Sequence, residues 1–234
     1  MPKRSTFILN KFLSMRFNKL PLFLGVILML YGFSKIDSTP KFISIGDLTK
    51  SQLLKTKVTG LGGFQQNCIK MEIDNLTDTT QLILLEPGRR LVSVNSYFQD
   101  IFIVKKQKFL LAPNQSTTIS AYGFCCQSSN GSPKKDSKFT LGYMAPKKWI
   151  ELAEFIDQND FPTSAIQAAV WAISNGHQTA SITAEDRQAV RTLRETVATL
   201  KNEPIPWYYL TYEEDTALVF SNNQRIYRVS SIIN

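Results

Sequence analysis

The hydrophobic period of this chain changes from two residues to 3.6 and back again, and that switch limits the folds open to it more than any other feature. From Val58 onward the spacing is that of strands: Ile69, Met71 and Ile73 alternate with Lys70, Glu72 and Asp74, as in a strand with one buried face. Asn75 to Thr80 turn the chain, Gln81 to Leu85 are apolar on both faces, and Pro87-Gly88 ends that run. Leu91 to Val94, Ile101 to Val104, Phe109 to Leu111 and Thr117 to Cys126 continue the series. Beyond the flexible stretch Ser128 to Pro133 the apolar residues recur at helical spacing. Trp149, Leu152, Ala153 and Ile156 mark a first helix after Pro146, and Ile166, Ala169, Val170 and Ile173 a second, stopped by Asn175-Gly176. The third carries Ala189, Val190, Leu193, Val197 and Leu200, with Thr183 and Asp186 spaced as a capping box at its start. After Pro204 and Pro206, three runs read as strands again: Trp207 to Tyr212, Ala217 to Phe220 and Arg225 to Val229. The pattern predicts an α+β protein, mainly an antiparallel β-sandwich, with an insertion of about three helices at residues 146–201 before the C-terminal strands. Residues 53–234 form its single domain, and 35–52 read as a linker holding one short strand at Phe42 to Ile45.

Residues 1–34 read differently. They hold Lys3, Arg4, Lys11, Arg16 and Lys19 without an acid, followed by an apolar run from Leu20 to Phe33. At 14 residues, with Pro21 and Gly25 inside it, that run is shorter than the roughly 20 residues a spanning helix needs, and it suits an export signal. Gly32 and Ser34 place small side chains where cleavage after Ser34 would require them. If the leader is not cut, residues 20–33 are an N-terminal membrane anchor. In either case the folded part is expected outside the cytoplasm, in the periplasm, at the cell surface or secreted. The leader also explains most of the charge. The chain carries +8, but five of its 27 basic residues lie in the leader, which leaves 22 against 19 acids and a net of only +3. That removes the case for a nucleic-acid partner. Two lysine clusters remain, Lys105, Lys106 and Lys108, and Lys134, Lys135 and Lys138. Beside turn residues they read as solvated turns, or as a patch for an anionic partner.

Three cysteines and one histidine do not make a zinc site, so no metal and no cofactor is expected. Cys68, Cys125 and Cys126 read either as small buried residues or, in an oxidising compartment, as a bridge from Cys68 to one of the pair, Cys125 being the candidate. The lone His177 follows Gly176 in a turn and is accompanied by no nucleophile elbow, which argues against a serine hydrolase. Gly60, Gly62 and Gly63 lack the Lys-Ser/Thr of a phosphate loop and read as a turn or a bulge. Glu151 and Glu154 could serve a carboxylate glycosidase, but they lie off the apolar stripe of their helix. Glu213, Glu214 and Asp215 lack the alternating spacing that wraps calcium.

The most specific local signal is Ile166-Gln-Ala-Ala-Val-Trp171 together with Tyr122-Gly-Phe-Cys-Cys126. The pair resembles the two motifs of the thioester domains of bacterial surface adhesins, with Ile166 where that family carries Thr and with the cysteine doubled. The resemblance covers about 50 residues. It implies a β framework with a helical part and covalent capture of a surface nucleophile by an activated acyl group. Gln167 would supply the acyl carbon and Cys125 or Cys126 the sulfur. Trp207, Tyr208, Tyr209 and Tyr212 would put aromatic rings on both faces of a strand, for a binding surface or for burial. Taken together, the residues predict a non-enzymatic module of the cell envelope or surface that interacts with a protein or cell-surface partner.

Overall fold

The computed structural model describes residues 41–207. The alternation centred on Met71 is realised in one long strand, one of nine among the described residues. The elements are β1 (Ile43–Ser44), α1 (Ile45–Lys50), β2 (Leu54–Leu61), β3 (Gln65–Asn75), β4 (Gln81–Leu85), β5 (Arg89–Ser93), β6 (Ile101–Ile103), β7 (Gln107–Leu111), β8 (Ser116–Cys125), β9 (Lys135–Met144), α2 (Lys147–Gln158), α3 (Thr163–Ser174), a 3-10 turn (Thr179–Ser181) and α4 (Arg187–Lys201). The expected leader and the strand runs beyond Trp207 lie outside the described residues.

Six strands close on themselves in the order β2-β3-β8-β6-β5-β9, every pair antiparallel. This is a barrel, and it corrects the expected sandwich. The closing element is β9, which pairs with β2 through Val58↔Phe139 and with β5 through Leu91↔Leu141. No strand was expected in its segment. Lys135, Asp136 and Lys138 are exposed, and Phe139 is its one buried apolar residue, so the period-two signal is faint. Curvature is helped by Gly142, where an added Cβ would sit 2.7 Å from the Arg90 carbonyl oxygen across the ladder. The remaining strands form a three-stranded sheet, β1-β4-β7, with β1 parallel to β4 and β4 antiparallel to β7.

Two cores result. The first fills the barrel with Ile69, Met71, Ile73, Leu91 and Ile103, and it continues into Ile83 and Leu85 of the small sheet. Residues 41–52 contribute to it, because Ile45 and Leu48 of α1 are buried there and Ser44 caps that helix by accepting from Gly46 and Asp47 N–H. The second core lies between the barrel's outer wall and the helices. Phe102, Val104, Phe124 and Cys126 point outward from β6 and β8 and meet Leu152 of α2, Val170 of α3 and Leu193 of α4. Strand β6 is therefore buried on both faces, Ile101 and Ile103 inward and Phe102 outward.

The three predicted helices are present with shifted ends. Thr183 does not cap the third; Asp186 does, accepting from Ala189 N–H at 2.9 Å, and Asn202 ends the helix in the left-handed conformation. The Lys105 cluster is spent on the fold. Lys105 Nζ donates to the carbonyls of Asp157 and Asn159 at the end of α2, Lys106 pairs with the Asp157 carboxylate, and Lys108 lies over the Phe42 ring.

Candidate functional site

The C-terminal end of β8 is where the two cores meet, and strand alternation decides what each receives. Cys125 belongs to the barrel core and Cys126 to the core under the helices. The start of α3 is tied to the same end of the barrel, with Gln66 Nε2 donating to Thr163 Oγ1 at 2.7 Å. One turn further on stands Gln167, the only polar residue among the six buried ones of that helix. Its Nε2 donates to the Cys125 carbonyl at 2.8 Å, while Oε1 is buried without a hydrogen-bond partner. A half-satisfied amide in an apolar helix costs about 1–3 kcal/mol, so packing alone does not favour Gln here. The carboxamide is thereby tied to the backbone at the strand end that carries both cysteines, one peptide unit before Cys126.

Cys126 sits in a polar cradle. Its N–H and its Sγ both donate to the Asp100 carbonyl, at 3.1 and 3.4 Å. Gln99 and Gln127 lock the flanking chains to each other: Gln127 N–H donates to Gln99 Oε1, and Asp100 N–H to Gln127 Oε1. The Asp100 carboxylate accepts from Ser93 N–H at 2.9 Å and pairs with the Arg90 guanidinium. Arg90 also donates to the Tyr143 hydroxyl at 2.8 Å and lies over the rings of Tyr143 and Trp149, 5.2 and 5.6 Å from their centroids. Burial works to discharge Arg90, but Cys126, Asp100 and Tyr143 outweigh it and hold its pKa above the usual value. Its Nε is buried without a hydrogen-bond partner.

All three cysteines are free and buried. Between Gln66↔Gly123 and Ile69↔Ala121 the ladder shifts, and Cys68 falls in that irregularity, whereas Cys125 N–H donates to the Phe64 carbonyl further along the strand. The register therefore does not set Cys68 directly opposite Cys125, the pair considered for a bridge. Burial pushes the Cys68 thiol up to about 12 against its backbone hydrogen bonds, and it raises Cys125 too, with Cys68 and Cys126 adding to the shift. Burial likewise pushes Cys126 up to about 12, with Arg90 pulling down and Asp100 pushing up.

The other candidates are dispersed. His177 is buried, its Nε2 2.9 Å from Ser128 Oγ and its ring 5.9 Å from that of Trp171. Asn175 accepts from Ser128 N–H, so these residues clamp the loop after β8 to the loop after α3. Glu154 is exposed, and Glu151 faces Lys147 at 3.5 Å on the outer side of α2. Gly62 and Gly63 form the turn between β2 and β3 with positive φ, and Gly60 lies within β2. Lys134, Lys135 and Lys138 remain exposed. Among the described residues no group of three His, Cys, Asp or Glu is placed to hold a metal. Trp207 is exposed; Tyr208, Tyr209, Tyr212 and the acids 213–215 lie outside the described residues. Sequence reasoning missed Arg90, on β5, and Asp100, in the loop just before β6, which carry no spacing signal. Compared with models of protein families, with curated proteins and with solved structures, the chain matches none.

Proposed function

We propose that this chain is an exported surface or envelope module that attaches to its partner covalently, through a thioester between Gln167 and a cysteine of the Cys125-Cys126 pair. The observation that carries the reading is the Gln167 carboxamide, buried against the Cys125 carbonyl with its own oxygen unpaired. In forming the bond, the thiol sulfur replaces the amide nitrogen at the carboxamide carbon and ammonia leaves. A partner amine then takes the acyl group, and the sulfur recovers a proton. Each molecule reacts once, so the module is no catalyst in the ordinary sense, and no metal or cofactor takes part. The basic stretch and apolar run read at residues 1–34 support an event outside the cytoplasm.

The test is the intact mass of the full chain in amine-free buffer, read against whichever N-terminus it carries. The reading expects a mass about 17 Da below the sequence value, abolished in Gln167→Ala and converted to an amide on incubation with methylamine. A wild-type chain at its full sequence mass would reduce Gln167 to a packing residue and end the proposal.

A further inference from the structure

Resting on that reading, we infer that Cys126, rather than Cys125, supplies the sulfur, and that Arg90 is the positioning residue whose charge holds that sulfur as a thiolate when the acyl group leaves. The two cysteines are one residue apart but face different surroundings. Cys125 lies in an apolar barrel beside a second thiol, with no cation among the groups that shift its ionisation. Cys126 faces the layer that contains α3, and its thiol reaches the Asp100 carbonyl, whose own side chain grips Arg90. Arg90 is fixed from four sides: the Asp100 carboxylate, the Tyr143 hydroxyl and the faces of Tyr143 and Trp149. With Nε unpartnered and buried, it keeps a buried N–H for a neighbour that gains charge.

A guanidinium held in place suits the step that needs it. When an amine attacks the acyl carbon, the electron pair of the C–S bond goes to sulfur, and the amine proton follows afterwards. A thiol buried as deeply as Cys126 is a poor leaving group unless a fixed positive charge meets the developing thiolate. Each unit added to a leaving thiol's pKa slows its departure by roughly threefold, so removal of Arg90 is expected to slow aminolysis about three- to tenfold.

The experiment uses the full chain and its Cys125→Ala, Cys126→Ala, Arg90→Gln and Arg90→Lys variants. Intact mass is followed with methylamine as the probe between pH 6 and 9. The expected result is that Cys125→Ala keeps the mass deficit and Cys126→Ala loses it. Arg90→Gln should slow the reaction across the profile, and Arg90→Lys, which keeps the charge, should regain most of the rate. A deficit that survives in Cys126→Ala and vanishes in Cys125→Ala overturns the inference while leaving the proposed function standing. Equal rates in wild type and Arg90→Gln, or equally slow Gln and Lys variants, overturn the role of Arg90. Absence of any deficit in the wild type removes both. Should neither arginine variant fold by far-ultraviolet circular dichroism, the two cysteine variants decide.

Discussion

Replacing Phe102 with alanine should cost about 4 kcal/mol, although the residue lies on the outside of a barrel. In an open sandwich the outward side of such a strand faces water, and the change would be cheap. Here Phe102 is fully buried, with its ring edge-on to Trp149 at 5.7 Å and 89°. Phe-to-Ala changes in packed cores cost about 3–5 kcal/mol, of which an aromatic pair of this geometry supplies about 0.5–1.5. Its neighbour Ile103 points the other way, into the barrel, and Ile103→Ala should cost about 2–5 kcal/mol. Two successive residues of a three-residue strand would then each destabilise heavily, which happens only where both faces are covered. Urea unfolding followed by far-ultraviolet circular dichroism measures both, with an unchanged m-value as the check that compactness is preserved. In thermal melts the Phe102 change should lower Tm by about 8–16 °C. The exposed Val94 serves as control, with Val94→Ala within about 0.5 kcal/mol of wild type. A Phe102→Ala cost below about 1 kcal/mol, beside a normal cost for Ile103→Ala, would mean that the helices do not cover the wall.

Three further outcomes are expected. The free thiol of Cys68, which the proposed thioester does not use, ionises near 9 when unfolded but only at about 12 when folded, so the unfolded state loses its proton first. Stability should therefore fall as pH rises above 9, by up to about 1.4 kcal/mol per pH unit, and urea midpoints at pH 8, 9 and 10 would expose a flat response. Arg89 is nearly buried and joins Glu86 at 2.7 Å, Ser44 Oγ at 3.0 Å and the Gly142 carbonyl at 2.9 Å. Arg89→Met should cost about 3–5 kcal/mol by stranding the Glu86 carboxylate, and adding Glu86→Leu should recover much of it in a double-mutant cycle. Gly88 turns the chain at φ +90°, and an added Cβ would lie 2.8 Å from Ile150 Cγ1. Gly88→Ala should lower stability by more than about 1 kcal/mol, and a melt matching the wild type would contradict this.

Strand β3 was legible because its faces differ in polarity, as Met71 and Glu72 do, and β4 and β6 because short apolar runs end at turn residues. Closure was not. It depends on the pairing of β9 with β2 and β5, and that strand exposes Lys135, Asp136 and Lys138 while only Phe139 and Leu141 pack into the barrel core. A period can reveal a strand; it cannot reveal which strand lies beside it. Asp186 took the cap expected of Thr183 because the helix begins one turn later, at Arg187. Within the site, Gln167 stood out as an amide in an apolar helix, and Cys125-Cys126 as a doubled cysteine at a strand end. Their meeting at 2.8 Å was foreshadowed only by resemblance, and Arg90 with Asp100 by nothing, since their ion pair follows from the register of β5 against β6. The lysines at 105 and 106 looked solvated because the helix end they clamp lies about fifty residues away in sequence, at Asp157 and Asn159.

The closing strand also sets an order of events. As the chain emerges from its N-terminus, β2 and β5 are complete long before their shared partner, and each presents an unpaired ladder until residue 144 is available. A chain that stops short of β9 would keep those two edges open and would be prone to pair with its own kind. Once β9 is seated, the only strands at a sheet margin among the described residues are β1 and β7, and β1 is two residues long. Resistance to aggregation is thus acquired late, in a single step, from the segment whose sequence looks least like a strand.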